Sequence, residues 1–156
     1  MNFRKICVLG LGYIGLPTAS TFATHGLRVI GVDINQQVIE TLQNANIHIQ
    51  EPGLRTVVES ALHSGNLTVS RQPEEADGSL IAVPTPFYED SFGEYQGMRY
   101  RLADMRAVTS ATEAILPYLR KGNLVILEST SPPRTTVDLV RPILERSGMK
   151  AGVDFY

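Results

Sequence analysis

Apolar and polar positions follow two rhythms along this chain. Short runs that are apolar at nearly every position read as strands buried on both faces: 5–10 (KICVLG), 28–33 (RVIGVD), 66–70 (NLTVS), 78–86 (GSLIAVPTP) and 123–130 (NLVILEST). Between them, apolar residues recur every three or four positions, the spacing of a helix with one buried stripe. These helices span 13–25, closed by Gly26; 35–45, with Val38, Ile39 and Leu42 inward and Asn35 as cap; and 54–64, closed by Gly65. Two more span 103–119, with Met105, Val108, Ala111, Thr112 and Ile115 inward, and 132–146, with proline near its start. Residues 47–53 are a connector, 87–100 a polar and aromatic loop of unusual length, and 154–156 the beginning of another strand. Strands alternating with helices predict an α/β fold: a parallel sheet with helices on both faces. Right-handed crossovers leave the doubly wound order 3-2-1-4-5-6 as the expected topology.

The first strand-to-helix junction carries candidate chemistry. Gly10-Leu11-Gly12-Tyr13-Ile14-Gly15 fits G-x-G-x-x-G. In a Rossmann setting Gly10 permits the tight turn, Gly12 lets a pyrophosphate approach the backbone, and Gly15 lets the helix lie close to the strand. Free N–H groups of the first helical turn then face the phosphates. Asp33 ends the second strand eighteen residues after Gly15, where a carboxylate accepts the hydroxyls of an adenosine ribose. It repels a 2′-phosphate, and Ile34-Asn35 supply no arginine to receive one, so NAD is favoured over NADP. Two further stretches fall beyond the carboxyl ends of central strands, where ligands sit in such sheets. In "VPTP" two prolines stiffen the turn around Val83 and Thr85. In "ESTSPP", Glu128, Ser129, Thr130 and Ser131 crowd the mouth of the crevice, and Thr130 or Ser131 is equally suited to capping the next helix.

Composition narrows this picture without changing it. The 156 residues suit one domain. A net charge of −2 with scattered basic residues argues against a nucleic-acid partner. No apolar run approaches the ~20 residues of a membrane span, and the first residues lack a signal-peptide pattern, so a cytoplasmic protein without membrane contact is expected. The single cysteine, Cys7, reads as strand core. His25, His48 and His63 lack metal-ligand spacing, so no metal site is expected. His25 and His63 fall at helix C-termini, and His48 falls in a turn. Glu74, Glu75 and Asp77 read as a solvated acidic patch, and Tyr88, Tyr95 and Tyr100 as loop anchors.

Taken together, "GLGYIGLPTA", "VIGVDIN", "EPGL", "IAVPTP" and "KGNLVILESTSPP" resemble, in that order, the UDP-glucose/GDP-mannose dehydrogenase family. The version of these motifs found here resembles the branch that oxidises UDP-N-acetyl-D-mannosamine. The resemblance implies that residues 1–156 are an NAD-binding Rossmann domain. It also implies a central helix and a C-terminal UDP-binding domain outside this chain, and a homodimer in the full enzyme. Members oxidise the C6 alcohol of a nucleotide sugar to a carboxylate with two NAD+. Tyr13 and Ile14 match cofactor contacts in the glycine turn, Asp33 matches the ribose acid, and Thr85 and Thr130 match residues near the nicotinamide. Thr130 also matches a hydroxyl close to the reacting centre, where it would support catalysis. Arg134 departs from the family, which usually has glycine there. The nucleophilic cysteine lies beyond Tyr156 in relatives, so the chain alone is expected to bind NAD and turn nothing over. Two alternatives share the turn and Asp33: an NAD-sensing regulatory module, and the cofactor domain of a β-hydroxyacid dehydrogenase.

Overall fold

A computed structural model describes residues 3–156. Five strands form one parallel sheet: β1 (Lys5–Leu9), β2 (Arg28–Val32), β3 (Leu67–Ser70), β4 (Gly78–Ile81) and β7 (Leu124–Leu127), in spatial order β3-β2-β1-β4-β7. This is the expected doubly wound order through its fifth position. Beyond β7, Tyr156 donates its N–H to the Asn123 carbonyl at 2.8 Å and its own carbonyl accepts from Val125 N–H at 2.6 Å, so residues 154–156 lie in the sixth position.

Pleating sorts the core into two layers. Val8, Val29 and Leu80 face one side, packed with α1 (Gly15–Thr24), α2 (Gln36–Gln43) and α3 (Leu54–His63). Cys7, Leu9, Ile30, Val32 and Ile81 face the other, packed with α4 (Arg106–Ile115) and α5 (Arg141–Glu145). The predicted stripe of α4 is confirmed: Val108, Ala111, Thr112 and Ile115 are buried, and Met105 is partly buried against them. Cys7 is core, and burial pushes its thiol pKa up to about 12.

Several expectations are corrected. The strand at 78–86 ends at Ile81; Ala82 N–H still reaches the Leu9 carbonyl at 2.8 Å, and Pro84 and Pro86, lacking an N–H, cannot extend the ladder beyond it. Residues 87–100 are no loop: β5 (Phe87–Tyr95) and β6 (Met98–Ala103) form an antiparallel hairpin outside the main sheet. Its turn, Gln96-Gly97, has positive φ at both residues (51° and 77°), as a two-residue hairpin turn of the right twist requires. The register puts Tyr95, Met98, Tyr100 and Leu102 on one face and Phe92, Glu94, Arg99 and Arg101 on the other. Arg99 lies over the Phe92 ring at 3.9 Å. The neck is closed by Asp104 N–H donating to the Pro86 carbonyl at 2.7 Å and Tyr88 OH donating to Asp104 at 3.1 Å.

The acidic patch is a structural tie. Asp77 accepts main-chain N–H groups from Arg4 at 2.7 Å and Lys5 at 2.9 Å, fixing the entry to β1, and these bonds lower its pKa. Glu74 pairs with Lys5 at 3.0 Å and Glu75 with Arg120. The helix after β7 opens as a wide π-type segment at Thr136–Val140, ahead of Pro142, which lacks the N–H to close an α-turn. Neither Thr130 nor Ser131 caps it; its side-chain bond near the start runs from Thr135 Oγ1 to the Pro132 carbonyl. Arg134 has φ +71°, a left-handed conformation natural to glycine, and its guanidinium forks onto Asp138 at 2.8 and 2.7 Å.

Candidate functional site

The three glycines of the first turn meet three different physical demands. Gly10 has φ +93°, and a Cβ there would sit 2.4 Å from the Ala82 carbonyl oxygen of β4's exit. A Cβ on Gly15 would sit 1.8 Å from the Gly10 carbonyl oxygen, so this residue is what lets α1 press against the turn. A Cβ on Gly12 would meet nothing within 4 Å. Packing among the described residues therefore does not require glycine at 12.

Between them, Leu11 anchors the loop. Its side chain is fully buried and lies against Gly31 of β2. Its N–H donates to Asp33 Oδ2 at 2.9 Å, and its carbonyl accepts from His48 Nε2 at 2.9 Å. Among the described residues no protein acceptor takes the N–H groups of Gly12, Tyr13 or Ile14; the first turn of α1 has no side-chain cap and no acidic residue. Tyr13 and Ile14 are exposed. A helix N-terminus with free amides and no competing carboxylate is a built receptor for an anion.

Asp33 is pinned beside this loop. Its Oδ1 accepts Asn35 N–H at 2.8 Å, and its own N–H donates to the Ser70 carbonyl at 3.2 Å. A carboxylate has about four lone-pair sites; two are taken, which leaves acceptors for a pair of vicinal hydroxyls. Asn35 caps α2 through Gln37 N–H at 3.0 Å, as its position predicts.

A cleft of about 610 Å³ opens at the carboxyl ends of β1, β2 and β4, with Gly10, Asp33, Ile34 and Val83 in its walls. Arg71, from the end of β3, lines it too. That cation, in the same cleft as Asp33, is not visible from Ile34-Asn35, because it arrives from a different strand. Asp104 and Arg106 also line the cleft. The Arg106 guanidinium, 2.9 Å from Asp104 Oδ1, holds the Asp104 carboxyl well below the usual range. Thr85 and Thr130 lie outside the cleft walls and next to each other: Thr85 Oγ1 donates to the Thr130 carbonyl at 2.6 Å, locking the turn after β4 to that after β7. Among the described residues there is no cluster of three or more metal-ligating side chains, and no helix long and apolar enough to cross a membrane.

A parallel sheet wound on both sides, a bare glycine turn with unclaimed amides and a pinned acid at the tip of the neighbouring strand define a dinucleotide-binding domain of the Rossmann type. The chain belongs to the UDP-glucose/GDP-mannose dehydrogenase family, whose NAD binding domain model matches residues 4–156. UDP-N-acetyl-D-mannosamine dehydrogenase of Escherichia coli K12 is 49% identical over 145 residues, 93% of this chain and 32% of that protein. The enzyme of that name from Methanococcus maripaludis C7 is 46% identical over 142 residues, 91% of this chain and 32% of that protein. Among solved structures, the UDP-N-acetyl-mannosamine dehydrogenase Cap5O of Staphylococcus aureus superposes with a TM-score of 0.88 at 51% identity, covering 97% of this chain and 35% of that one. A ternary complex of GDP-mannose dehydrogenase from Pseudomonas aeruginosa gives 0.83 at 30% identity, covering 97% and 34%. The chain thus spans about a third of the length of these relatives.

Proposed function

We propose that this domain holds NAD for the oxidation of a nucleotide sugar, with UDP-N-acetyl-D-mannosamine as the substrate of the whole protein. NAD, when bound, supplies the hydride acceptor. The chain's own residues bind and orient it. The N–H groups of Gly12, Tyr13 and Ile14 take the diphosphate, Gly10 and Gly15 hold the turn in shape, and Asp33 takes the adenosine ribose. Ile34 covers the adenine side, and Val83, Thr85 and Thr130 border the nicotinamide end. By this reading Thr130 is a supporting group for the reaction rather than a nucleophile. Cys7 does not serve as the trapping thiol, since it is buried in β1 and held protonated. Residues 1–156 form the NAD-binding unit. A UDP-sugar, a further UDP-binding domain and a second copy of the chain are its partners in the full enzyme, which works in the cytoplasm.

The observation that carries this reading is the pairing of unclaimed amides at residues 12–14 with an acid fixed to the same loop through Leu11 N–H. Calorimetric titration of the chain with NAD, NADP and UDP-N-acetyl-D-mannosamine tests it. Binding of NAD, weaker binding of NADP and no NADH formation from the sugar are expected. Absence of NAD binding, or equal affinity for NADP, overturns the assignment.

A further inference from the structure

We propose that His48 is a positioning residue for the diphosphate loop, acting on the amide of Gly12 through the carbonyl of Leu11. This rests on the reading of residues 10–15 as the diphosphate site. The Leu11 carbonyl and the Gly12 N–H belong to one peptide unit, which is planar and trans, so the two groups point in opposite directions. His48 Nε2 donates to that carbonyl at 2.9 Å. Holding the oxygen on the His48 side aims the Gly12 N–H the other way, into the opening where no acceptor among the described residues receives it.

An external pin is needed at this peptide. Glycine at 12 removes the steric limits that would otherwise confine it, and nothing lies within 4 Å of where a Cβ would be. The Leu11 side of the residue is fixed by burial and by Asp33. The carbonyl side has His48 as its side-chain partner. His48 is itself placed by its neighbour Ile49, which is buried in the core beside α2 and α3. The connector at 47–53 thereby couples that helical layer to the glycine turn across thirty-seven positions of sequence. Since a carbonyl only accepts, the ring contributes its Nε2 proton, and one neutral tautomer suffices.

The test uses the 156-residue chain and four proteins: wild type, His48→Ala, His48→Gln and His48→Asn. The glutamine amide reaches the ε position of the imidazole, and the asparagine amide stops one carbon short. Dissociation constants for NAD and ADP-ribose are measured by calorimetry, that for adenosine by NMR titration, and folding by thermal melting. About tenfold weaker NAD and ADP-ribose binding is expected in His48→Ala and His48→Asn, one step of 1.4 kcal/mol. Recovery to within about threefold is expected in His48→Gln, with adenosine binding unchanged. Should the alanine variant fail to fold, the glutamine and asparagine pair carries the same contrast. NAD binding equal to wild type in His48→Ala, an equal loss for adenosine, or no recovery with glutamine overturns the proposal. Failure of the wild type to bind NAD instead overturns the reading on which it rests.

Discussion

Gly12→Ala separates a ligand's demand for space from the protein's own. A methyl at 12 meets no atom of the described residues within 4 Å, and the residue has no positive φ to strain. Replacing glycine with alanine at such a position stabilises a fold by about 0.4–1 kcal/mol through the unfolded chain, which is a rise in Tm of about 1–4 °C for a domain of this size. The same methyl occupies the space that the diphosphate must enter to reach the amides of 12–14. Loss of one charge-assisted hydrogen bond costs about 1.5–3 kcal/mol, and loss of two costs about 3–6, so the NAD dissociation constant rises by roughly 10²–10⁴. Gly15→Ala is the control. Its methyl would lie 1.8 Å from the Gly10 carbonyl oxygen, a backbone atom that cannot swing aside, so α1 must move. Overpacking of that kind costs about 1–3 kcal/mol or more, and Tm falls. Melting curves and calorimetry on both variants decide the matter. A Gly12→Ala protein that binds NAD as tightly as wild type would refute the claim that the diphosphate lies on this turn. One that melts well below wild type would refute the claim that packing does not require glycine at 12.

Other expectations follow from single contacts. If Asp33 receives the adenosine ribose as proposed, Asp33→Ser removes that anion and leaves Arg71 lining the same cleft; the NAD-to-NADP affinity ratio should drop at least about tenfold by calorimetry. Asp77 is held by N–H bonds from Arg4 and Lys5, so its folded pKa lies below that of the unfolded chain. Its stabilisation is therefore full above the unfolded value of about 3.9 and is lost as pH falls through the folded one. Asp77→Asn should lose about 0.5–1 kcal/mol at neutral pH, since solvent screens the carboxylate, and flatten the acid limb of a urea-unfolding series. Ser20 Oγ is buried in α1 with no partner among the described residues. Ser20→Ala should keep NAD binding and raise stability by up to about 1 kcal/mol in the same urea series.

The main lines of the fold were legible because burial on both faces of a parallel strand leaves a continuous apolar run, and because Gly26 and Gly65 mark helix ends by their left-handed conformations. The glycine turn at the centre of the candidate site was legible for a related reason: Gly10 and Gly15 answer local packing constraints that spacing reveals. The hairpin was not. Both of its faces are largely open to solvent, so β5 and β6 lack the apolar alternation that burial imposes, and Gln96-Gly97 is a weaker turn signal than Asn-Gly. Contacts distant in sequence were equally silent. His48 on the Leu11 carbonyl and Asp77 on Arg4 join segments 37 and 73 residues apart, and nothing local marks either. Arg134 shows the reverse case. Its departure from the family's glycine was visible, but its φ of +71° and its fork onto Asp138 were not.

The two-stranded ribbon at 87–103 has no interior strand, so each of its borders carries a row of main-chain groups ready to pair with a stranger. Glu94, Arg99 and Arg101 stand with Phe92 on the face opposite Tyr95, Met98 and Tyr100, and their charge and bulk oppose such pairing. Neutralising those three would leave the parallel sheet folded and the nucleotide cleft whole, while turning the hairpin into a seed for intermolecular stacking.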